Sequence, residues 1–243
     1  IVNKYQPNCL FYHNIDRADF RWGGSETGTV EYPCWSTFPV PCSHHKRIES
    51  NIDQLELLKH GDKNGKYWVA DTPLRGANGR HEWFWEPDDE NNIYPLNTLM
   101  DKYEKSVGRN ATLILGLTPD PTGLIPAGDA QRLKEMGDEI SRRFSSPIAR
   151  ISGQKKSLTL KLGKEQPVNY CIIQENIKNG ERIRQYQIEA KVNGKWQTVC
   201  KGESVGHKRI EKFESVEATA LRICCTAGYY QLQRLFRKIT HEA

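Results

Sequence analysis

The chain has 243 residues, 37% hydrophobic, 27% charged and 9% aromatic, which is enough apolar material for one large or two ordinary domains and excludes a disordered tail. No apolar run reaches the roughly 18 residues of a membrane helix, and the longest, 111–117, has the length of a buried strand. The net charge of +5 is unevenly divided, with 20 basic against 9 acidic residues over 141–243 and 15 against 21 before them. No nucleic-acid motif accompanies the basic half, so nucleic acid is not an expected partner.

In chain order, Ile1-Val2-Asn3-Lys4-Tyr5-Gln6-Pro7-Asn8 shows neither an initiator Met nor a charged-then-apolar export signal, and it reads as a segment ending at Pro7. The chain is therefore expected to begin in mid-domain. Residues 9–13 are the first strand candidate, followed by a loop rich in Gly, Asp and aromatics. A second strand is expected at 67–70, and then the aromatic run Trp83-Phe84-Trp85. Leu96, Leu99, Met100, Tyr103 and Val107 stand at helical spacing and predict a helix over 94–107, with Gly108 as its stop.

The apolar strand 111–117 follows, then the turn Pro119-Asp120-Pro121-Thr122-Gly123 and a helix from about Asp129. That helix buries Leu133, Met136, Ile140 and Phe144, and it carries Arg142-Arg143 where the negative end of the helix dipole favours them. Ser145-Ser146-Pro147 ends it. Strands alternating with helices predict an α/β layer over residues 1–146.

From residue 148 the pattern becomes all-β. Strands are expected at 157–162, 168–174, 183–192, 196–200, 208–213 and 220–225, with turns at Gly163-Lys164, Asn179-Gly180 and Asn193-Gly194. This predicts a β-sandwich over 147–243. The seven cysteines are odd in number and form no CxxC pair, against a zinc ribbon or a fully paired disulfide scaffold; Cys34 and Cys42 are near enough in sequence to bridge in an exported protein.

Two clusters carry possible chemistry. Arg21-Trp22-Gly23-Gly24-Ser25-Glu26-Thr27-Gly28 lies in a loop of the kind that builds the active face of an α/β barrel, though Glu26 is also readable as a solvated carboxylate beside a Gly-rich turn. Trp83-Phe84-Trp85-Glu86-Pro87-Asp88-Asp89-Glu90 sets aromatics before carboxylates, a composition that suits a sugar ring with one apolar face. It is equally a core aromatic run before an acidic helix start.

Between the clusters, Asp71, Arg75, Arg80, His81 and Glu82 are either ligand contacts or caps of neighbouring strands. His44-His45 with Glu49 completes no zinc pattern. Serine-elbow, Walker and dinucleotide motifs are absent, which leaves glycoside hydrolysis open because it needs chiefly two carboxyl groups.

Taken in order, Gln6-Pro7-Asn8, Arg21-Trp22 through Glu26 and Gly28, Cys34-Trp35-Ser36, Trp83-Phe84-Trp85, Ser106-Val107-Gly108-Arg109-Asn110-Ala111 and Asp129 resemble glycoside hydrolase family 29, the α-L-fucosidases. The later residues 168–170, 174–177, 180–183, 194–196 and 206–210 resemble that family's accessory C-terminal sandwich. The resemblance implies the second half of a (β/α)8-type barrel over 1–146 and a galactose-binding-like β-sandwich over 147–243. The sandwich is either a brace or a sugar-binding module.

The resemblance further implies that Glu26 is the general acid/base of a configuration-retaining enzyme preferring α1,3- and α1,4-linked fucose. Trp22, Asp71, Arg75 and Trp83 are then expected to contact substrate. Ser25 stands where the family pattern has Asn, and Val69-Ala70-Asp71 where it often has Pro-Ala-Glu. The nucleophilic aspartate is expected upstream of Ile1, in a barrel segment that would complete this chain, so the chain alone is expected to be inactive. A fucosylated oligosaccharide or glycoconjugate is the implied substrate, with no cofactor, no metal and no membrane span, and a periplasmic or secreted location. A non-catalytic carbohydrate-binding protein is the alternative.

Overall fold

The computed structural model describes residues 1–12, 19–22, 26–38, 66–79, 82–228 and 232–237. Within them lie two sheets, one mixed and one antiparallel. The mixed sheet is built on β3 (Lys66–Pro73), in which Trp68, Val69, Ala70 and Thr72 are buried. β3 pairs in parallel with β1 (Phe20–Trp22) and β4 (Ala111–Gly116), and antiparallel with the two-residue β2 (Thr37–Phe38). A short helix α1 (Val2–Tyr5), not expected from the sequence, precedes them.

Parallel neighbours need a crossover connection, and the one between β3 and β4 carries α2 (Leu96–Ser106). α2 and the later α3 (Ala127–Phe144) close over a core of Leu74, Tyr94, Leu99, Met100 and Met136, with Leu133, Ile140 and Phe144 packed around it. Leu99, Met100, Leu133, Met136, Ile140 and Phe144 are among the residues that the helical spacing placed on the buried stripes. Pro95 and Pro126 stand at the two N-caps, where a missing N–H costs nothing.

Three expectations for this part need correction. Residues 9–12 form no strand, only a bridge from Tyr12 to Phe20, and 13 lies outside the described residues. Gly108 does not end α2 through a left-handed backbone; that conformation belongs to Asn110, at φ 70°. Gly108 is required for space, since a Cβ there would lie 2.3 Å from the Glu104 carbonyl oxygen and 2.9 Å from the Ile210 Cβ. Arg75, expected among substrate contacts, is only 1% exposed and donates to Asp129 Oδ1 from Nη2 at 2.8 Å, with Asp89 3.8 Å from Nη1. Asp129 is itself fully buried in the first turn of α3, where the helix dipole favours an anion.

The antiparallel sheet has the order β5-β10-β6-β9-β7-β8, with β5 Ala149–Gly153, β6 Ser157–Glu175, β7 Ile183–Val192, β8 Lys195–Gly202, β9 Arg209–Gly228 and β10 Leu232–Arg237. Leu158, Leu160, Val168, Cys171, Ile173, Ile188, Leu221 and Ile223 belong to its core. Asn193 and Gly194, at φ 48° and 77°, make the expected hairpin between β7 and β8. Gly163 does not reverse the chain. It lies inside β6, where the register against β9 shifts between Lys161 and Gln166, so two expected strands are one. The last two expected strands likewise merge into β9, and the sequence reading missed β5 and β10. Cys34, Cys171 and Cys225 are buried, Cys34 as a free thiol; Cys42 lies outside the described residues.

The two sheets meet at Asn110. Its Nδ2 donates to the Cys34 carbonyl at 2.8 Å, and its Oδ1 accepts from the Lys208 backbone N–H at 2.8 Å and the Ser36 hydroxyl at 3.2 Å. Beside it, Arg143 and the Tyr170 hydroxyl both donate to Glu104 Oε1 at 2.9 Å. The same seam holds two buried carboxylates. Glu181 accepts from the Ser36 backbone N–H, and Glu175 accepts from the N–H groups of Arg182 and Ile183. Burial pushes both up to about 7; Glu181's charge adds to the effect on Glu175, while the backbone N–H donors oppose it.

These carboxyls hold protons more tightly folded than unfolded, so the stability they contribute is full below about pH 4.5 and is lost as pH rises through 7. Calorimetric melting between pH 5 and 8 should show Glu181→Gln gaining on the parent chain as pH rises. A parallel pair of curves would contradict this. Arg75→Met should lower unfolding free energy by about 3–5 kcal/mol in urea titrations, because it strands Asp129 as a buried unpaired charge.

Candidate active site

Parallel pairing decides which side chains share an edge. Trp22 stands opposite Val69 at the end of β1, and Gly116 stands opposite Pro73 at the end of β4. The loop after β1 and the last residues of β3 and β4 therefore gather at one edge, the C-terminal one, where open and closed α/β sheets place their ligands. Trp22, Glu26, Asp71 and Trp83 come together there. Arg75, one residue past Leu74, turns instead to Asp129 of α3, as described above.

Two indoles hold two carboxylates. Trp22 Nε1 donates to Asp71 Oδ1 at 2.7 Å, and Trp83 Nε1 donates to Glu26 Oε2 at 3.2 Å. An indole N–H only donates, so each ring specifies an acceptor and orients the acid it meets. Burial raises the Asp71 carboxyl above its ordinary range; the Trp22 hydrogen bond opposes this and the Glu26 charge reinforces it. Glu26 is exposed, Asp71 half-buried, and the two are near enough to interact electrostatically.

The loop geometry is set by two glycines. Gly28, at φ 72°, donates its N–H to the Asp71 carbonyl at 2.9 Å, and a Cβ there would stand 2.7 Å from Thr72 Cγ2. The turn carrying Glu26 is thereby laid against β3. At Gly116 a Cβ would stand 2.6 Å from Trp83 Cζ3, so the end of β4 leaves room for the ring that reaches Glu26.

The aromatic and acidic cluster is divided by the fold. Trp83 reaches the edge, Trp85 is half-buried, Phe84 is 83% exposed, and Asp89 faces Arg75. Glu82 is buried. Gly23, Gly24, Ser25, His44, His45, Glu49, Arg80 and His81 lie outside the described residues. Sequence reasoning missed Tyr12, whose phenol is raised by burial and by the charge of Asp71. No local signal marks Tyr12, because only the bridge to Phe20 brings it to β1. Among the described residues no group of three or more His, Cys, Asp or Glu is placed to hold a metal ion, and no helix is long and apolar enough to cross a membrane.

An exposed carboxylate oriented by a ring N–H, with a second carboxylate and aromatic surface beside it, has the chemistry for proton transfer to a polyhydroxylated substrate. The alpha-L-fucosidase family profile matches residues 1–143. Alpha-L-fucosidase 1 of Arabidopsis thaliana is 27% identical over 265 residues, covering 92% of this chain and 49% of that protein. A crystal structure from Bacteroides thetaiotaomicron VPI-5482 is 85% identical at a TM-score of 0.87, covering 98% of this chain and 55% of the other.

A glycoside hydrolase 29 family member from an unknown rumen bacterium is 28% identical at a TM-score of 0.78, covering 99% and 45%. The chain thus spans about half the length of the relatives it matches. With the profile extending over the strands and loops that assemble the two indole–carboxylate pairs, this chain belongs to the alpha-L-fucosidase family.

Proposed function

We propose that the protein acts as a retaining glycoside hydrolase that releases terminal α-L-fucose, α1,3- or α1,4-linked, from oligosaccharides or glycoconjugates, with Glu26 as general acid/base. The observation that carries this reading is the Trp83–Glu26 hydrogen bond at the C-terminal edge of the parallel strands, within a chain of this family. Residues 1–146 serve as the second half of a (β/α)8-type barrel and residues 147–243 as a galactose-binding-like sandwich that braces it. The parallel β1, β3 and β4 with their helices and the antiparallel sheet beyond Ala149 support that division.

In this reading Glu26 gives its proton to the glycosidic oxygen as the anomeric C–O bond breaks. A second carboxylate, from the part of the relatives' length that this chain does not span, attacks the anomeric carbon. Water then releases the sugar, and Glu26 takes the water's proton. The two carboxyl groups of such a pair stand about 5–5.5 Å apart. Trp83 keeps Glu26 in the rotamer that faces the leaving oxygen, and its ring covers the apolar face of the sugar. Asp71, fixed by Trp22, holds a sugar hydroxyl.

Glu26→Gln in the native gene product should reduce hydrolysis of alkyl α-L-fucosides by about 10²–10⁴-fold while fucose binding, followed by calorimetry, is retained. Unchanged turnover removes Glu26 from the mechanism. Trp83→Phe keeps the apolar face and deletes the donor. It should lower kcat by about 10–100-fold, the worth of one hydrogen bond to a charged group, in steady-state kinetics.

A further inference from the structure

The turn that carries Glu26 is held from beneath by a side chain that no motif marks. Lys102, on the inner face of α2, is 8% exposed. Its Nζ donates to the carbonyl of Thr27, the residue after Glu26, and lies 4.4 Å from the centroid of the Tyr94 ring. Its stem touches the same turn, because a Cβ at Gly28 would stand 3.2 Å from Lys102 Cδ.

Burying an ammonium is unfavourable unless it is well paired, and a methionine would fill the same volume without that cost. Burial holds the Lys102 amine below its ordinary range, with only the Asp101 charge acting against it. The stability of α2 therefore does not account for a lysine at this position. Its seat is rigid: Tyr94 packs so closely on Gly76 that a Cβ there would stand 2.3 Å from the phenol oxygen.

The turn is thus tied to the elements around it. Gly28 ties its trailing end to the Asp71 carbonyl, Trp83 takes the Glu26 carboxylate, and Lys102 takes the carbonyl between them. Removing the first or second changes the site directly. Removing the third leaves the other two in place and takes away the side chain's hold on the peptide that follows Glu26.

We propose that Lys102 is a positioning residue for Glu26: through the Thr27 carbonyl it sets the turn so that the Glu26 carboxyl meets Trp83 and faces the leaving oxygen, without itself touching substrate. The proposal rests on the reading of Glu26 as acid/base. Misplacement of a catalytic group by about 1 Å costs on the order of 100-fold, and the loss falls on the step that needs the proton.

The test is the hydrolysis of a series of α-L-fucosides of graded leaving-group acidity by the native gene product, with thermal melting measured alongside. Lys102→Met should lower kcat/KM for poor leaving groups by about 10–100-fold while kcat/KM for the most acidic leaving group, whose bond breaking needs little proton donation, changes by less than about twofold. Lys102→Arg, which keeps a donor, should recover part of the loss. Should the methionine variant fail to fold, Lys102→Leu, which also lacks a donor, serves the same comparison.

Equal loss across the series would make Lys102 a merely structural residue, and no loss would make it dispensable; either overturns the proposal. Glu26→Gln run on the same series separates the two readings. If it shows the leaving-group dependence and Lys102→Met does not, only the role of Lys102 fails. If Glu26→Gln lacks the dependence, the acid/base reading fails and the positioning role fails with it.

Discussion

Parallel pairing of β3 with both β1 and β4 is the constraint on which the candidate site depends. It brings the end of one strand, the loop after it and the end of a third strand to the same edge. Two tryptophans, one at the end of β1 and one from a loop, then reach two acids. Slipping β3 by one residue against β1 would turn Asp71 to the opposite face and separate it from Trp22. Val69 and Ala70, on opposite faces of β3, and Thr72 are almost fully enclosed, so the strand is packed on both faces.

A second constraint is the seam between the sheets, and it explains a motif that carries the family resemblance in sequence and serves the scaffold. In Ser106-Val107-Gly108-Arg109-Asn110-Ala111, Ser106 donates to the Lys102 carbonyl at 2.6 Å and Gly108 allows close contact with Ile210. Arg109 donates to the Val30 carbonyl at 2.8 Å, and Asn110 joins Cys34, Ser36 and Lys208. Ser106, Gly108, Arg109 and Asn110 are each demanded by a donor, an acceptor or a missing Cβ. The Arg75–Asp129 pair is a similar case: both residues have the chemistry of a sugar site, yet they neutralise each other between β3 and α3.

Much of the fold was legible locally. α2, α3, β3, β4, β7 and β8 were expected within a few residues, because periodic apolar spacing, short apolar runs and Asn-Gly turns act over short distances. The errors cluster where distant partners decide. Gly163 has the chemistry of a turn, but pairing with β9 carries the chain through it as a bulge. β5 is only five residues long, and β10 is placed between β5 and β6 by partners far away in sequence.

Of the site, the residue types were readable and their pairing was not. The sequence by itself determined an α/β part followed by an all-β part, the apolar stripes of both long helices, and a short set of acids and aromatics suited to a sugar. Only the tertiary structure decided which of these meet: Trp22 with Asp71 across 49 positions, Trp83 with Glu26 across 57, and Arg75 with Asp129 away from them. The reason is range. Helix and turn formation is governed by neighbours within about four residues, whereas a hydrogen bond between strand-end loops exists only after the sheet has set their distance and direction.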